Sequence, residues 1–253
     1  MRNGHCDCLG DLFAMRKLVT TFACAVLTLL ATSAHAAGGI NLSWTDCGVS
    51  GQLQRNFACN SNSGTNTMVA SVVTGVAMNQ FNGEASVMDL QTNQAALSPW
   101  WGMMAVGCRG TSVLSADFNF LAMSNCLDPW AGLAVGGVNY SPGFGAPNRA
   151  RIRTVSAIPS STAINGSDEY YLVKVAFSNA RTTGLGSCPG CTDGACIVFN
   201  SVFVTQPAGV GNFTITSTLV RNWVQWQSGA AGICPGATPT RHSTWGQVKT
   251  LYR

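Results

Sequence analysis

The stretch Cys188-Pro-Gly-Cys191-Thr-Asp-Gly-Ala-Cys196 runs directly into Ile197-Val-Phe-Asn-Ser-Val-Phe-Val204, and it decides the fold of this chain. Three cysteines are separated by turn-forming residues, and the most strand-like run of the sequence follows them. Cross-links at this point would anchor the start of a central strand, with Cys234 downstream as a fourth sulfur. The stretch therefore predicts a β protein whose central strand is held covalently.

The first 36 residues have the layout of a secretory signal. A basic start at Met15-Arg-Lys leads into an apolar run at residues 18–31, and Ala34-His-Ala36 precedes a cleavage point. The run is shorter than the ~18 residues that a membrane-spanning helix needs. We predict a signal region at residues 1–36, with the start of translation left open between Met1 and Met15, export from a bacterial cell, and a mature chain, residues 37–253, without a membrane span.

The composition suits an extracellular protein. Only 9% of the residues are charged, against about 25% in typical globular proteins. Removal of residues 1–36 takes three of the 14 basic residues and two of the 10 acidic ones, which leaves a net charge of +3. Charge this small and dispersed lacks the basic stripe of nucleic-acid-binding proteins, so we predict no nucleic-acid partner.

Eight of the 11 cysteines remain after processing. An even number in an oxidising compartment predicts four disulfides. The sequence neighbours Cys47 and Cys59, and likewise Cys108 and Cys126, are expected to close local loops. The other two bridges are expected within the last four cysteines, in a pairing that the sequence leaves open: Cys188, Cys191, Cys196 and Cys234.

Two chemical functions compete with structural disulfides for these last four cysteines. Cys188-Pro-Gly-Cys191 has the spacing of dithiol oxidoreductases, whose first thiol is activated at a helix N-terminus. Four sulfurs also suit tetrahedral zinc. However, Thr-Asp-Gly-Ala-Cys follows where a helix would be required, and an exported chain is oxidised. We therefore predict structural disulfides, no metal and no cofactor.

Short runs with strand-like periodicity, separated by Gly, Pro and Asn turns, continue along the chain. The predicted strands are residues 40–44, 68–73, 81–90, 130–140, 149–158, 170–177, 197–205, 213–219, 222–227 and 245–252. Residues 48–67 and 98–130 are predicted to be loops. This pattern predicts one all-β domain, a disulfide-stapled antiparallel β-sandwich of jelly-roll, cohesin-like or carbohydrate-binding-module-like architecture.

Both ends of the mature chain resemble those of uncharacterised secreted proteins from environmental bacteria. The similarity is carried by Asn41-Leu-Ser-Trp-Thr-Asp-Cys-Gly48, by Trp245-Gly-Gln-Val-Lys-Thr-Leu-Tyr-Arg253 and by Cys188-Pro-Gly-Cys…Cys-Ile-Val-Phe-Asn200. It extends over most of the mature chain and implies no activity. In architecture alone, the strand pattern is similar to cohesin-like and carbohydrate-binding sandwiches.

Catalytic constellations are missing from the sequence pattern. His242 is the only histidine left after processing, and it lies in a predicted loop. Glycoside cleavage requires two carboxyl groups that face one cleft. Glu84 and Asp89 are separated by an odd number of residues, so a regular strand points them to opposite faces. These observations favour a non-catalytic protein.

Aromatic residues provide one candidate ligand site. Trp100 and Trp101 follow Ser98-Pro99, and in an extended segment one indole faces inward and the other outward. An exposed indole stacks on the apolar face of a sugar, and Arg109 beside Cys108 would offer a planar donor fork to hydroxyls or carboxylates. The alternative is that both tryptophans belong to the core.

Arginines provide a second candidate site. Arg149, Arg151 and Arg153 lie on one face of a predicted strand, with neighbours ~6.6 Å apart. In this position they can meet an anionic polysaccharide or the acids of a partner. The alternative is an edge strand protected by charge against sheet-to-sheet association.

These observations together predict a secreted or cell-surface, non-catalytic binding or assembly protein, with a glycan or another surface protein as its partner. Two alternatives stay open at this point. One is a secreted hydrolase of glycans or esters, and the other is a structural component of the cell envelope or matrix. The sequence does not indicate an oligomeric state.

Overall fold

A computed structural model describes residues 38–227 and Cys234. This part of the chain is all-β, with three single 3₁₀ turns besides the strands, and none of its helices is long and apolar enough to cross a bilayer. The strands are β1 (Gly39–Trp44), β2 (Gln54–Arg55), β3 (Thr65–Val73), β4 (Met78–Thr92), β5 (Leu114–Asp117), β6 (Val135–Pro142), β7 (Arg149–Ile164), β8 (Glu169–Ser178), β9 (Ala195–Thr205), β10 (Phe213–Ile215) and β11 (Trp223–Trp226).

The strands form two sheets. The four-stranded sheet has the order β1-β3-β8-β5 and is antiparallel throughout. The seven-stranded sheet has the order β2-β11-β9-β4-β7-β6, with β10 also paired to β9. Its strand pairs are antiparallel except for β2 with β11. Most connections carry the chain from one sheet to the other, among them β3–β4, β4–β5, β7–β8 and β8–β9, which gives a sandwich-like arrangement.

Aromatic side chains join the inner faces of the two sheets. Trp44 and Phe177 belong to the four-stranded sheet, and their ring centroids lie 5.9 and 6.2 Å from that of Trp226 in the seven-stranded sheet. All three side chains are fully buried in one continuous hydrophobic cluster. Aromatic rings at these separations stabilise a core beyond the area that they bury.

The alternating runs of the sequence locate most strands correctly. Six strands cover their predicted ranges completely: β1, β3, β4, β7, β8 and β9. The segment predicted as a strand from residue 130 becomes one only at Val135. Strands β2 and β5 lie in segments predicted to be loops, because two to four residues carry too little periodicity. The predicted signal region, the strand at 245–252 and His242 lie outside the described residues.

Four disulfides are present, as predicted, but their pairing differs from the predicted one. The bonds are Cys47–Cys126, Cys59–Cys191, Cys108–Cys188 and Cys196–Cys234. Both local loops were therefore wrong, and only one bond joins two of the last four cysteines. In the chain-entropy model, a 132-residue loop such as that of Cys59–Cys191 stabilises by about 5 kcal/mol, against about 3 kcal/mol for a loop as short as Cys47 to Cys59.

The pairing also bears on the two chemical alternatives for the last four cysteines. Cys188 and Cys191 are each bonded to a distant cysteine, so they are not a dithiol pair. The four sulfurs proposed for zinc are distributed over three separate disulfides and do not form a tetrahedral ligand set.

A layer of loops covers the outer face of the four-stranded sheet. Phe120 stacks on Tyr171 with ring centroids 4.5 Å apart, and the Tyr171 hydroxyl donates to Asp46 Oδ1 at 2.7 Å. The disulfide Cys47–Cys126 links the two loops that contribute these contacts. Polar side chains of this face are consequently buried.

Candidate ligand-binding face

The outer face of the seven-stranded sheet carries the three arginines predicted from the sequence. Along β7, Arg149, Arg151 and Arg153 alternate with buried Ala150 and Ile152, which places the three guanidinium groups on the outside. Strand β7 is hydrogen-bonded to β4 on one side and to β6 on the other. The prediction of a charge-protected edge strand was therefore wrong, because these arginines lie within the sheet.

Arg151 is held by an acid on the neighbouring strand. Its Nε and Nη2 donate to Asp89 Oδ1 and Oδ2 at 2.7 and 2.8 Å, and Asn200 Nδ2 on β9 donates to the same Oδ2 at 2.8 Å. The hydrogen bonds to Asp89 raise the pKa of Arg151 further. The guanidinium group of Arg151 thus neutralises the Asp89 carboxylate through two parallel hydrogen bonds, the geometry of a strong ion pair. Both carboxylate oxygens are occupied by donors.

Phe144 forms a wall beside this ion pair. The Arg151 guanidinium lies 3.5 Å from the centre of its ring, a cation–π contact. Phe144 belongs to the loop between β6 and β7, and Asn148 fixes this loop to the end of β4. Asn148 Nδ2 donates to the Thr92 carbonyl at 3.1 Å, and the Thr92 N–H donates to the Asn148 carbonyl at 3.0 Å.

A shallow pocket of about 60 Å³ opens between this loop and the sheet. Two amide oxygens in the residues around it, Gln91 Oε1 and Asn200 Oδ1, are buried and have no hydrogen-bond donor in the described structure. The pocket is lined by Asp89, Leu90, Gln91, Phe144, Gly145, Arg149 and Asn200. The residues around the pocket therefore combine a cationic hydrogen-bond donor, Arg149, with two amide oxygens that lack a donor in the described structure.

Arg149 and Arg153 have no ion pair within the described ranges, in contrast to Arg151. Arg149 is half-buried at the pocket. Arg153 is exposed and lies two positions further along β7 than Arg151. The two residues are four positions apart, which corresponds to ~13 Å along a strand. This face therefore presents two cations that are available to an anionic molecule.

An apolar row crosses the same face next to Arg153. Ala85 on β4 lies directly opposite Phe203 on β9 and Val155 on β7. Phe203 is 39% exposed and Val155 is 55% exposed. The face thus changes from apolar to cationic along the strands.

The tryptophan platform predicted from the sequence was wrong. Pro99–Trp101 is a 3₁₀ turn and not an extended segment, and both Trp100 and Trp101 are fully buried. Their ring centroids lie 4.9 Å apart, and those of Trp100 and Trp226 lie 4.7 Å apart. The alternative, that both tryptophans belong to the core, is the one observed.

Arg109 is also unavailable to a ligand, contrary to the prediction. It is 3% exposed, it donates to the backbone carbonyls of Ser178, Ala180 and Trp100, and its guanidinium lies 3.9 Å from the Trp100 ring centroid. Burial lowers the pKa of Arg109 to about 10. The side chain therefore ties loops together beneath the surface.

Glu84 and Asp89 point to opposite faces of β4, as the odd spacing predicts. Glu84 is 3% exposed between the sheets, where hydroxyl groups of Ser86, Thr154 and Ser156 donate to its carboxyl group. Burial raises the pKa of Glu84 to about 8, although these hydrogen bonds oppose the shift. The two carboxyl groups consequently do not share a cleft.

Potential metal ligands come together once within the described part of the chain, at Cys47, Cys126 and Glu169. The two sulfurs of this group are bonded to each other. It therefore offers no thiolate, and we assign no metal to it.

Four members of the face were not predicted from the sequence: Asp89, Gln91, Phe144 and Asn200. Asp89 and Gln91 occupy outward-facing positions in the alternation of β4, so the strand pattern could have indicated them. Phe144 lies in a loop, and Asn200 lies beside a β-bulge. In neither place does strand alternation predict the direction of a side chain.

The fold and this face define an all-β, disulfide-stapled domain with a partly cationic sheet surface. No model of a known protein family matches the chain, and no curated protein matches it either.

Proposed function

We propose that this chain is an exported, non-catalytic bacterial protein that binds an acidic polysaccharide on the outer face of its seven-stranded sheet. The observation that carries the proposal is the difference between the three arginines. Arg151 is neutralised by Asp89, whereas Arg149 and Arg153 extend from the same strand without an acidic partner within the described residues.

The spacing of the two free arginines supports a polymeric ligand. A compact anion contacts one guanidinium, but a chain with repeated acidic groups contacts both across ~13 Å. The apolar row of Ala85, Val155 and Phe203 next to Arg153 suits the C–H faces of sugar rings. Because the sheet is rigid, little conformational entropy is lost when such a chain binds.

Export is supported by the N-terminal pattern and by the disulfides. The four bonds require an oxidising environment to form and persist. A non-catalytic role is supported by the state of Asp89, because a carboxylate saturated by Arg151 and Asn200 is a poor general base or nucleophile.

The test is binding of the purified mature chain to immobilised polygalacturonate, with neutral dextran as a reference. We expect the Arg149→Ala/Arg153→Ala double variant to bind the acidic polymer about tenfold or more weakly, since a hydrogen bond to a charged group is worth about 1.5–3 kcal/mol. Affinity is also expected to fall as salt is added, because these charges are exposed to solvent.

The matched control is Arg55→Ala/Arg181→Ala, which removes the same two charges away from β7. Arg55 lies on β2 at the far edge of the sheet, and Arg181 lies in the loop after β8. The control is expected to bind like the wild type. Equal weakening in both double variants, or a wild type that does not bind polygalacturonate, would refute the proposal.

A further inference from the structure

We infer that the pocket beside Phe144 binds a single uronic acid residue, by its carboxylate and a hydroxyl group of the same ring. This inference rests on the proposed function, since it names the sugar class that one end of the cationic face selects. It follows from the polar atoms that line the pocket and from those that remain unpaired.

The unpaired atoms at the pocket are acceptors. Asn200 Nδ2 donates to the Asp89 carboxylate, and this contact fixes the orientation of the amide, whose Oδ1 has no donor among residues 38–227. Gln91 Oε1 likewise has no donor among these residues. A buried acceptor without a donor is unfavourable, so two of them in residues that line one pocket favour a molecule that brings hydroxyl donors.

The remaining polar group at the pocket is a donor. Arg149 lines the pocket without an acidic partner in the described structure, and its planar fork matches a carboxylate. Asp89 would repel an incoming anion, but Arg151 neutralises it at 2.7 Å. The pocket therefore requires a ligand that combines one negative charge with hydroxyl donors.

This requirement discriminates between ligand classes. A sulfate or phosphate diester satisfies Arg149 but has no hydrogen to donate to Gln91 or Asn200. A neutral sugar has hydroxyl donors but no charge for Arg149. A sugar acid has both groups on one ring, and a pocket of about 60 Å³ has room for these groups while the rest of the ring lies at the opening.

The pocket is formed before a ligand arrives. The paired hydrogen bonds between Asn148 and Thr92 hold the loop, and the contact between Arg151 and Phe144 holds the wall. Gly145 has φ +76°, a left-handed conformation that suits glycine in a tight turn. The terminal torsion of Gln91 is soft, so its amide oxygen can turn toward a hydroxyl group at small cost.

The experiment compares two probes on the mature chain by calorimetry. Trigalacturonate carries carboxylates and hydroxyls, and dextran sulfate with nearly complete substitution carries charge with few hydroxyls. The test variant Gln91→Met removes the acceptor at similar volume, and the matched control is Gln94→Met, an exposed glutamine three residues further on. We expect Gln91→Met to weaken trigalacturonate binding about fivefold or more and to leave dextran sulfate binding unchanged.

A second measurement uses the wild-type protein alone, so it does not require a variant to fold. The side-chain amide signals of Gln91 and Asn200 in ¹H–¹⁵N spectra are expected to shift when trigalacturonate is added to the wild type, and not when dextran sulfate is added. Unshifted amide signals, or equal trigalacturonate affinity in Gln91→Met and the wild type, would overturn this inference. If dextran sulfate binding still requires Arg149 and Arg153, the cationic face stands without the uronate pocket. If neither probe depends on these arginines, the proposed function fails as well.

Discussion

Trp226 donates its indole N–H to the carbonyl oxygen of Cys191 at 2.8 Å. This contact joins the last described strand to the cysteine-rich stretch, and Cys191 is itself bonded to Cys59. One aromatic side chain thus connects the core, the covalent cross-links and the strand next to the β2 edge of the seven-stranded sheet. Trp101 is equally buried in the same cluster, but its indole N–H has no acceptor within the described residues.

The two tryptophans provide a matched test of this arrangement. Trp226→Phe removes a satisfied donor, whereas Trp101→Phe removes an orphan donor at a similar loss of volume. We expect the free energy of unfolding to fall by about 1 kcal/mol more for Trp226→Phe than for Trp101→Phe, as measured by urea denaturation, because the Cys191 carbonyl still accepts from Gln227 Nε2. Equal losses would show that the hydrogen bond to Cys191 does not contribute.

The disulfide pairing is testable by peptide mapping. Proteolysis of the unreduced mature chain is expected to yield linked peptides that contain Cys47 with Cys126 and Cys59 with Cys191. The variant Cys59→Ala/Cys191→Ala is expected to lose about 2–5 kcal/mol of stability, since it opens the longest loop. A peptide that links Cys47 to Cys59 would contradict the observed pairing.

Asp89 controls the charge of the candidate face. Its ion pair with Arg151 is partly exposed, with side-chain exposures of 24% and 19%, so Asp89→Asn is expected to cost only about 1 kcal/mol of stability. It also frees a third cation, and we expect dextran sulfate to bind the variant more tightly than the wild type in low salt.

Asp117→Asn is the control for Asp89→Asn, because it breaks the second ion pair, that of Asp117 with Lys174 on the other sheet. We expect a similarly small loss of stability and no change in dextran sulfate affinity. Tighter binding in both variants would mean that net charge, and not the position of Arg151, determines the affinity.

Glu84 is expected to make stability depend on pH. Burial raises its pKa from 4.5 to about 8, so the folded state retains a proton that the unfolded state releases. Its contribution to stability is therefore complete below pH 4.5 and is lost as the pH rises toward 8. Relative to Glu84→Gln, the wild type is expected to lose on the order of 4 kcal/mol between pH 5 and 9 in urea denaturation. Parallel pH profiles of the two proteins would contradict the raised pKa.

The sequence by itself determined the fold class, the approximate position of most strands, the number of disulfides and the shared outward face of Arg149, Arg151 and Arg153. These properties follow from local causes. Side chains alternate along a strand with a period of two, so a run of residues reveals its own inner and outer faces. An even cysteine count after the predicted processing likewise needs no knowledge of the fold.

The tertiary structure alone decided which distant residues meet. Cys59 pairs with Cys191 across 132 residues, Trp100 and Trp101 turn into the core instead of outward, and β7 lies between β4 and β6 instead of at an edge. The pocket of Gln91, Phe144, Arg149 and Asn200 likewise combines three strands and a loop. Periodicity within a strand carries no information on its neighbours in the sheet, because strand order is set by the packing of the whole core.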